Sequence, residues 1–333
     1  MHRFLIFRTD RIGDFIFSRI ITDSIKKKNS KNIIDFVCSS YNAKYAKNYK
    51  DINKIYILDK YNLKLMIKNL ININTLKYDY IIILDGKRRS VFFSCLLRAK
   101  YKIAILKDWR PFFLLRIFFN NYLINSETNS QFRNFITLAN LLDLKVDNKI
   151  NYYDNYVFKK KKIINVKKDY ILLHLDEKWF KGFYHNDFNY MNLDINNFDL
   201  FVNTIFNKFK MKILITSGKI NVPVFREIIN KHFKKINKNI FHSIKYKDKL
   251  QYVDNSEFQD LELLVKKSKF LICCEGAISH VSHAFKIKTI ALVNYIGIKT
   301  GIFWTNHMSG VNLIYRDNIE EICKKIKKLK VNI

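Results

Sequence analysis

Two short loops carry the residue types that could do chemistry, and each lies between a predicted strand and a predicted helix. The first loop has the sequence RTDRIGD and runs from Arg8 to Asp14. Gly13 permits a tight turn there, and Asp14 falls at or near the start of the helix. A carboxylate at that position can cap the helix, or it can take a proton from a bound hydroxyl group. Spacing alone leaves both interpretations open.

The second loop has the sequence EGAISH and starts at Glu275. Small residues at Gly276 and Ala277 let a ligand approach the backbone, and the first-turn N–H groups of a helix can hold a diphosphate. Glu275 could bind sugar or ribose hydroxyls, and Ser279 and His280 could donate hydrogen bonds to phosphate oxygens. The loop therefore has the composition of a phosphate-binding turn.

A purely structural interpretation of the second loop competes with this one. Glu275 can be an ordinary first-turn acid, and His280 a hydrogen-bonded core histidine like His283 one turn later. His280 and His283 have a spacing that occurs in metal sites, but Glu275 precedes the helix, so we expect no metal there.

The elements that must position both loops follow from the alternation of short apolar runs with longer periodic segments. This alternation is typical of βαβ units on a parallel sheet that is buried on both faces. Predicted strands that precede the candidate residues are Arg3–Arg8, Tyr170–Leu175 and Phe270–Cys274, with predicted helices at Asp14–Lys28 and Ile278–Phe285. Ligands bind beyond the carboxyl ends of the strands in such sheets.

The length of 333 residues fits two domains. A lysine-rich stretch at Lys159–Lys168 is the predicted linker. We therefore expect two doubly wound α/β domains, residues 1–158 and 169–333, with a cleft between them.

The amino-acid composition limits the classes of partner that the chain is expected to bind. With 60 Lys and Arg against 29 Asp and Glu, the formal net charge is +31, and 48% of residues are hydrophobic. That hydrophobic fraction excludes a disordered chain. The charge favours phosphate-bearing partners such as nucleic acid, anionic lipid headgroups or phosphorylated substrates, although an AT-rich coding sequence would also enrich lysine.

Compartment is predicted from the cysteines and the apolar runs. The five cysteines are scattered and odd in number, as in a reducing compartment. We see no signal peptide and no apolar stretch long enough to span a bilayer. A cytoplasmic location is therefore expected.

Three patches resemble glycosyltransferase family 9, the ADP-heptose:lipopolysaccharide heptosyltransferases. They are RTDRIGD with its apolar helix, EGAISHVSHAFKIKTIALV, and more loosely ILLHLDEKW at Ile171–Trp179. The resemblance spans nearly the whole chain in order and spacing. It implies a GT-B fold of two Rossmann-like domains, an acceptor-binding one followed by a donor-binding one.

The resemblance also implies an inverting, metal-independent transfer of a sugar from a nucleotide-sugar donor to a lipopolysaccharide-core or related surface-glycan acceptor. No cofactor is implied, because the donor, ADP-heptose or another nucleotide sugar, is a substrate. The absence of any Asp-x-Asp sequence agrees with a site that needs no metal.

Site residues are carried over by motif position. Asp14 matches the base that takes the acceptor proton, and Lys178 matches the lysine that neutralises donor phosphate, with Lys181 as the alternative. The donor-binding residues are then Lys178, Glu275, Gly276, Ala277, Ser279 and His280, and the acceptor-binding residues are Arg8, Arg11 and Gly13. Glu275 stands where the family usually has Asp, so the donor need not be ADP-heptose.

A basic, aromatic segment at Asp108–Phe119 has two interpretations. It can be a core helix of the first domain, or it can lie in the headgroup layer of an anionic membrane. The second interpretation would place the protein at the inner face of the cytoplasmic membrane, where a lipid-linked acceptor resides.

Two alternatives to the enzyme remain. The chain could bind a sugar nucleotide without catalysing transfer, or it could be a basic nucleic-acid-binding protein. The second would require a basic stripe interleaved with exposed aromatic residues, whereas the lysines here are spread over both halves. We therefore expect no nucleic-acid partner.

Overall fold

The chain divides into two units, Met1–Phe158 and Lys159–Ile333. The computed structural model describes residues 1–59, 61–106, 117–124, 130–147, 152–158, 169–183, 191–254, 257–294 and 303–330. The predicted linker lies outside these residues, and so do residues 108–116 of the aromatic segment.

The first unit is built on a six-stranded sheet in which every pairing is parallel. Its strands are β1 (Arg3–Arg8), β2 (Ile33–Cys38), β3 (Lys54–Ile57), β4 (Tyr78–Ile83), β5 (Ala99–Leu106) and β6 (Asn121–Ile124), in the order β3-β2-β1-β4-β5-β6. The described helices are α1 (Ile12–Lys28), α2 (Ser40–Ala46), α3 (Leu63–Asn74), α4 (Arg88–Cys95) and α5 (Gln131–Leu141). Apolar strands such as β1 form this sheet because helices cover both of its faces.

The second unit is built on an eight-stranded, mostly parallel sheet. Its strands are β7 (Tyr170–Leu175), β8 (Lys212–Ser217), β9 (Phe233–Lys235), β10 (Ile240–Ser243), β11 (Lys247–Val253), β12 (Phe270–Cys274), β13 (Lys288–Val293) and β14 (Val311–Tyr315), in the order β14-β13-β12-β7-β8-β11-β10-β9. The described helices are α6 (Phe198–Phe209), α7 (Pro223–His232), α8 (Phe258–Lys267), α9 (Ala277–Ala284) and α10 (Ile319–Lys328). Only β10 breaks the parallel pattern among the described strands, because it pairs antiparallel with β9 and β11.

Sheet order decides which loops are neighbours. In the first unit β1 lies between β2 and β4, with Phe7 opposite Ile83, so the loops that follow β1 and β4 leave the sheet side by side. In the second unit β12 lies between β7 and β13, with Cys273 opposite His174. Each candidate loop therefore has a partner loop from a strand distant in sequence.

No helix in the described part of the chain combines the length and the apolar character needed to cross a bilayer. The five cysteines are all free thiols, and all but Cys95 are buried. Burial raises the pKa of the Cys38 and Cys274 thiols, so both behave as small apolar side chains.

Candidate functional site

Asp14 lies in the first turn of α1. Its Oδ2 accepts a hydrogen bond of 3.2 Å from the backbone N–H of Arg11, which is the capping contact that an acid at this position makes. The Asp14 side chain nevertheless stays 22% exposed. The carboxylate therefore caps the helix and still offers part of its surface to a bound molecule.

Arg8 anchors this loop through hydrogen bonds to backbone oxygens. Its side chain is 1% exposed, and its Nε donates to the backbone oxygen of Asp14 at 2.9 Å while Nη1 donates to the backbone oxygen of Leu84 at 2.6 Å. Nη2 lies 3.6 Å from Asp14 Oδ1. Arg8 is thus placed to orient Asp14. Its expected role in acceptor binding stays a prediction, and Arg8 would act there through Asp14. Arg11 is exposed and Gly13 is buried.

The loop after β4 supplies residues that the sequence interpretation missed. Asp85 is buried, and its Oδ2 accepts hydrogen bonds from Thr9 N at 3.0 Å, Thr9 Oγ1 at 2.6 Å and Ser90 Oγ at 2.8 Å. Lys87 Nζ donates to the backbone oxygen of Thr9 at 3.0 Å. The acid directly after a buried strand was a visible signal, but its contact with the first loop depends on the pairing of β1 with β4.

Asp10 has a raised pKa in this arrangement. Burial raises its pKa to about 6, with the charge of Arg8 opposing the shift and the charges of Asp85 and Asp14 adding to it. Two half-buried acids therefore lie near the start of α1, with side chains 14% exposed at Asp10 and 22% exposed at Asp14.

In the second unit, Lys178 lies in the loop that follows β7. Asp176 follows β7, and a turn of 3₁₀ helix at Glu177–Trp179 brings Lys178 back across the sheet edge. Its Nζ donates to the backbone oxygen of Glu275 at 2.6 Å and lies 3.3 Å from Asp176 Oδ2. Burial disfavours the charged form, but the carboxylates of Asp176 and Glu275 outweigh it and raise the pKa of Lys178. The ammonium group is therefore charged, and it lies where α9 begins.

Gly276 allows this close approach. It caps α9, and a Cβ atom there would lie 2.8 Å from Lys178 Nζ. Ser279 is fully buried, and its hydroxyl donates to the backbone oxygen of Gly276 at 2.7 Å. His280 is buried as well. The phosphate contacts predicted for Ser279 and His280 stay predictions, and Ser279 would have to exchange its present acceptor to make one. Glu275 and Ala277 are half-buried.

Three further features of this sheet edge come from strands that the sequence interpretation did not connect. His174 Nδ1 lies 3.0 Å from Thr216 Oγ1, and burial lowers the pKa of His174 to about 4, so the ring is neutral. Gly218 lies close to the loop that follows β7, since a Cβ atom at position 218 would lie 3.2 Å from Asp176 Cβ. Arg316, which follows β14, is buried and acts electrostatically on Lys178. Two cations therefore meet at this edge.

Metal ligands do not converge in the described ranges, where no group of three or more His, Cys, Asp or Glu side chains is arranged to hold an ion. His283 and His307 have ring centroids 5.3 Å apart, and burial lowers the pKa of both, that of His307 to about 2. These rings are neutral and belong to the packing behind α9.

Comparison with known proteins gives a result from structure alone. No family model matches the sequence, and no curated protein matches it. A glycosyltransferase of family 9 from Veillonella parvula is 14% identical, with 99% of this chain and 90% of that chain covered at a TM-score of 0.64. E. coli heptosyltransferase WaaC with ADP-2-deoxy-2-fluoro heptose is 10% identical, with 98% and 99% covered at 0.64. UDP-GlcNAc 2-epimerase from Methanocaldococcus jannaschii is 15% identical, with 99% and 94% covered at 0.55.

These similarities establish the fold. The chain has the GT-B fold of two Rossmann-like α/β units, as the sequence predicted, and its resemblance to heptosyltransferases and family 9 glycosyltransferases is confirmed in structure. Because an epimerase shares the fold, the fold alone does not choose the reaction.

Proposed function

We propose that the chain is an inverting, metal-independent glycosyltransferase that moves a sugar, a heptose or a similar one, from a nucleotide-sugar donor to a lipopolysaccharide-core or related surface-glycan acceptor. The observation that carries the proposal is the Lys178 ammonium group, held 2.6 Å from the Glu275 carbonyl at the start of α9. A fixed cation beside a helix N-terminus suits the diphosphate that departs from such a donor.

Asp14 is the proposed base. As the acceptor hydroxyl attacks the anomeric carbon, its proton passes to Asp14, and the bond from that carbon to the diphosphate oxygen breaks. The new bond forms on the face opposite the departing group, so configuration inverts. Arg8 orients the base, while Arg11 and Gly13 form the proposed edge of the acceptor site.

Lys178 is the proposed counter-charge for the leaving diphosphate, together with the first-turn N–H groups of α9. Gly276 and Ala277 let the donor approach this turn, and Glu275 is placed to bind sugar or ribose hydroxyls. Ser279 and His280 complete the proposed donor set. The donor is a substrate and no cofactor is proposed.

The solved relatives support a nucleotide-sugar donor, since one of them binds ADP-2-deoxy-2-fluoro heptose. We extend this to the present chain as a proposal, and we propose a lipid-linked or lipopolysaccharide acceptor that is met at the inner face of the cytoplasmic membrane. The net charge of +31 supports an anionic acceptor and an anionic surface.

A thermal-shift screen across ADP-, GDP-, UDP- and dTDP-sugars tests the donor class, and a transfer assay with the stabilising donor and a truncated core acceptor tests the reaction. We expect one nucleotide class to raise the Tm and to support transfer. Epimerisation of a UDP-sugar in the absence of any acceptor would replace the proposal, and donor binding without transfer would reduce the chain to a binding protein.

A further inference from the structure

The first unit exposes an apolar surface on one face of its sheet. From β3 the chain crosses back over β2 and β1 to reach β4 and then steps on to β5, so α3 and α4 cover the same face, opposite α1 and α2. The two helices are joined by hydrogen bonds, from Asn74 Nδ2 to Leu96 O at 3.0 Å and from Arg98 N to Asn74 Oδ1 at 2.9 Å. The C-terminal ends of α3 and α4 therefore lie close together on this face of the sheet.

Exposed apolar residues recur at four-residue spacing along α3 and at the end of α4. Exposed fractions run from 48% at Leu96 to 67% at Leu63. We call this surface the α3–α4 face, and its apolar members are Leu63, Ile67, Ile71, Phe92 and Leu96. Side chains four residues apart lie next to one another on a helix, so α3 has an apolar stripe of three residues, and Phe92 and Leu96 form a shorter one at the end of α4. Scattered exposed apolar residues are ordinary, but exposed apolar stripes on two helices of the same sheet face mark an interaction surface.

Basic residues border the stripes. Lys64 and Lys68 are exposed beside the α3 stripe, and Arg88 precedes Phe92 by one turn on α4. The sequence has no Asp or Glu from residue 60 to 78 or from 86 to 107. The α3–α4 face is therefore apolar at its centre and positively charged at its margin.

The stripes continue into the described end of the aromatic segment. Phe119 is buried in the core, whereas Ile117 and Phe118 are exposed. Lys102 Nζ lies 5.7 Å from the centroid of the Phe118 ring and donates to Ser94 O in α4 at 3.0 Å. The end of this segment thus has one core residue and two that extend the exposed surface.

We propose that the α3–α4 face is the surface by which this protein docks on an anionic phospholipid membrane, with its leucine, isoleucine and phenylalanine side chains at the acyl boundary and its lysines and arginine at phosphate level. Apolar residues flanked by basic ones match the two layers of a lipid interface. The inference deepens the proposed function, because it assigns the membrane contact to named helices.

Charge and residue type argue against the other occupants. Two copies of a face whose helices bear lysine and arginine but no acidic residue would repel each other, which disfavours a homodimer through this surface. Nucleic acid would use stacking aromatic groups, whereas aliphatic side chains predominate in the stripes. A lipid surface supplies both the phosphates and the apolar layer.

Vesicle flotation of the full chain without donor or acceptor tests the proposal. The probes are phosphatidylcholine vesicles and vesicles of equal parts phosphatidylcholine and phosphatidylglycerol. We expect binding to the anionic vesicles only. Lys64→Gln with Lys68→Gln should weaken it by roughly thirtyfold. Ile67→Glu with Ile71→Glu should weaken it by roughly tenfold or more.

Matched controls lie in the second unit. Ile236 and Ile244 are exposed isoleucines, and Lys234 and Lys238 are exposed lysines. Ile236→Glu with Ile244→Glu, and Lys234→Gln with Lys238→Gln, should leave vesicle binding within twofold of the parent protein.

Several results would overturn the inference. These are equal binding to neutral vesicles, equal losses in face and control variants, a wild-type dimer that only the Ile67→Glu, Ile71→Glu variant dissociates, or RNA binding that the face variants abolish. Transfer to a water-soluble acceptor should be unchanged in the face variants, so failure of docking and failure of the transferase proposal are distinguishable.

Discussion

The side-chain nitrogen of Lys178 and the backbone oxygen of Glu275 lie 2.6 Å apart, although 97 residues separate them in sequence. This hydrogen bond ties the loop after β7 to the loop after β12, and it fixes a positive charge at the start of α9. Because the acceptor is a backbone carbonyl, the position of the charge does not depend on the rotamer of another side chain.

Replacing Lys178 with Met should lower donor affinity by roughly ten- to a hundredfold, the cost of losing one charge-assisted contact to phosphate. Lys181→Met is the matched control, because Lys181 is exposed three residues later and should leave affinity nearly unchanged. Isothermal titration with the nucleotide found in the thermal screen measures both. The reverse ranking would transfer the role to Lys181.

Asp14→Asn should lower kcat by roughly a hundred- to ten-thousandfold while donor affinity stays nearly constant, since the proposed base acts on the acceptor. Asp23→Asn is the control on the same helix. Asp23 pairs with Lys27 at 2.8 Å and has no proposed part in the reaction. Steady-state kinetics and nucleotide titration are measured together, and a collapse of donor affinity in Asp14→Asn would refute the assignment.

Two glycines near Lys178 should respond differently to alanine. In Gly218→Ala the new methyl group meets Asp176 Cα at 3.3 Å, a backbone atom that cannot yield cheaply, so we expect about 1–3 kcal/mol of lost stability. In Gly276→Ala the only atom within 4 Å of the methyl group is Lys178 Nζ, the terminal atom of a side chain that can rotate away.

Gly276→Ala should therefore displace the ammonium group and reduce donor affinity with little change in the free energy of unfolding. Urea unfolding and nucleotide titration of both variants provide the comparison. A larger stability loss in Gly276→Ala than in Gly218→Ala would contradict the geometry.

The raised pKa of Asp10 should make the free energy of unfolding fall as the pH rises from about 4 to about 6. Its folded-state pKa is raised to about 6 from 3.8, so in this window the folded protein keeps a proton that the unfolded chain has released. Asp10→Asn removes this titrating carboxyl group. The free energy of unfolding of the variant minus that of wild type should therefore be about 2–3 kcal/mol greater at pH 7 than at pH 4. Urea unfolding across this range gives the difference.

Asp143→Asn is the control for the sign of that effect. Lys28 lowers the pKa of the exposed Asp143 through a 2.8 Å hydrogen bond, so this group stabilises the fold above its unfolded pKa and loses that contribution as the pH falls. The difference between Asp143→Asn and wild type should therefore run opposite to that of Asp10→Asn. A pH-independent difference for Asp10→Asn would show that the Asp10 carboxyl titrates normally.

The sequence predicted the elements around both candidate loops closely, because apolar strands buried on both faces are continuous runs. β1, β7 and β12 have the predicted bounds, and α9 begins one residue earlier than expected. It did not predict β11, whose first three residues are charged and which pairs parallel with β8 and antiparallel with β10.

Contacts between loops were beyond the sequence for a physical reason. Arg8 was predicted to bind the acceptor because it flanks Asp14 in the sequence, and that role stays a prediction; the sequence did not show that its guanidinium donates to the backbone oxygens of Asp14 and Leu84. Asp85 and Arg316 reach the candidate loops only through sheet order, and one-dimensional periodicity does not encode which strands are neighbours.

The outermost strands of both sheets are short: four residues in β3 and β6, three in β9 and five in β14. An exposed strand edge is a template on which another chain can add its own strand, and long edges seed aggregation. With 48% hydrophobic residues, this chain would be vulnerable to such growth. The short edge strands, of which β3 and β9 also contain lysine, offer an added strand too few hydrogen bonds for stable pairing. We therefore expect resistance to amyloid-like self-association.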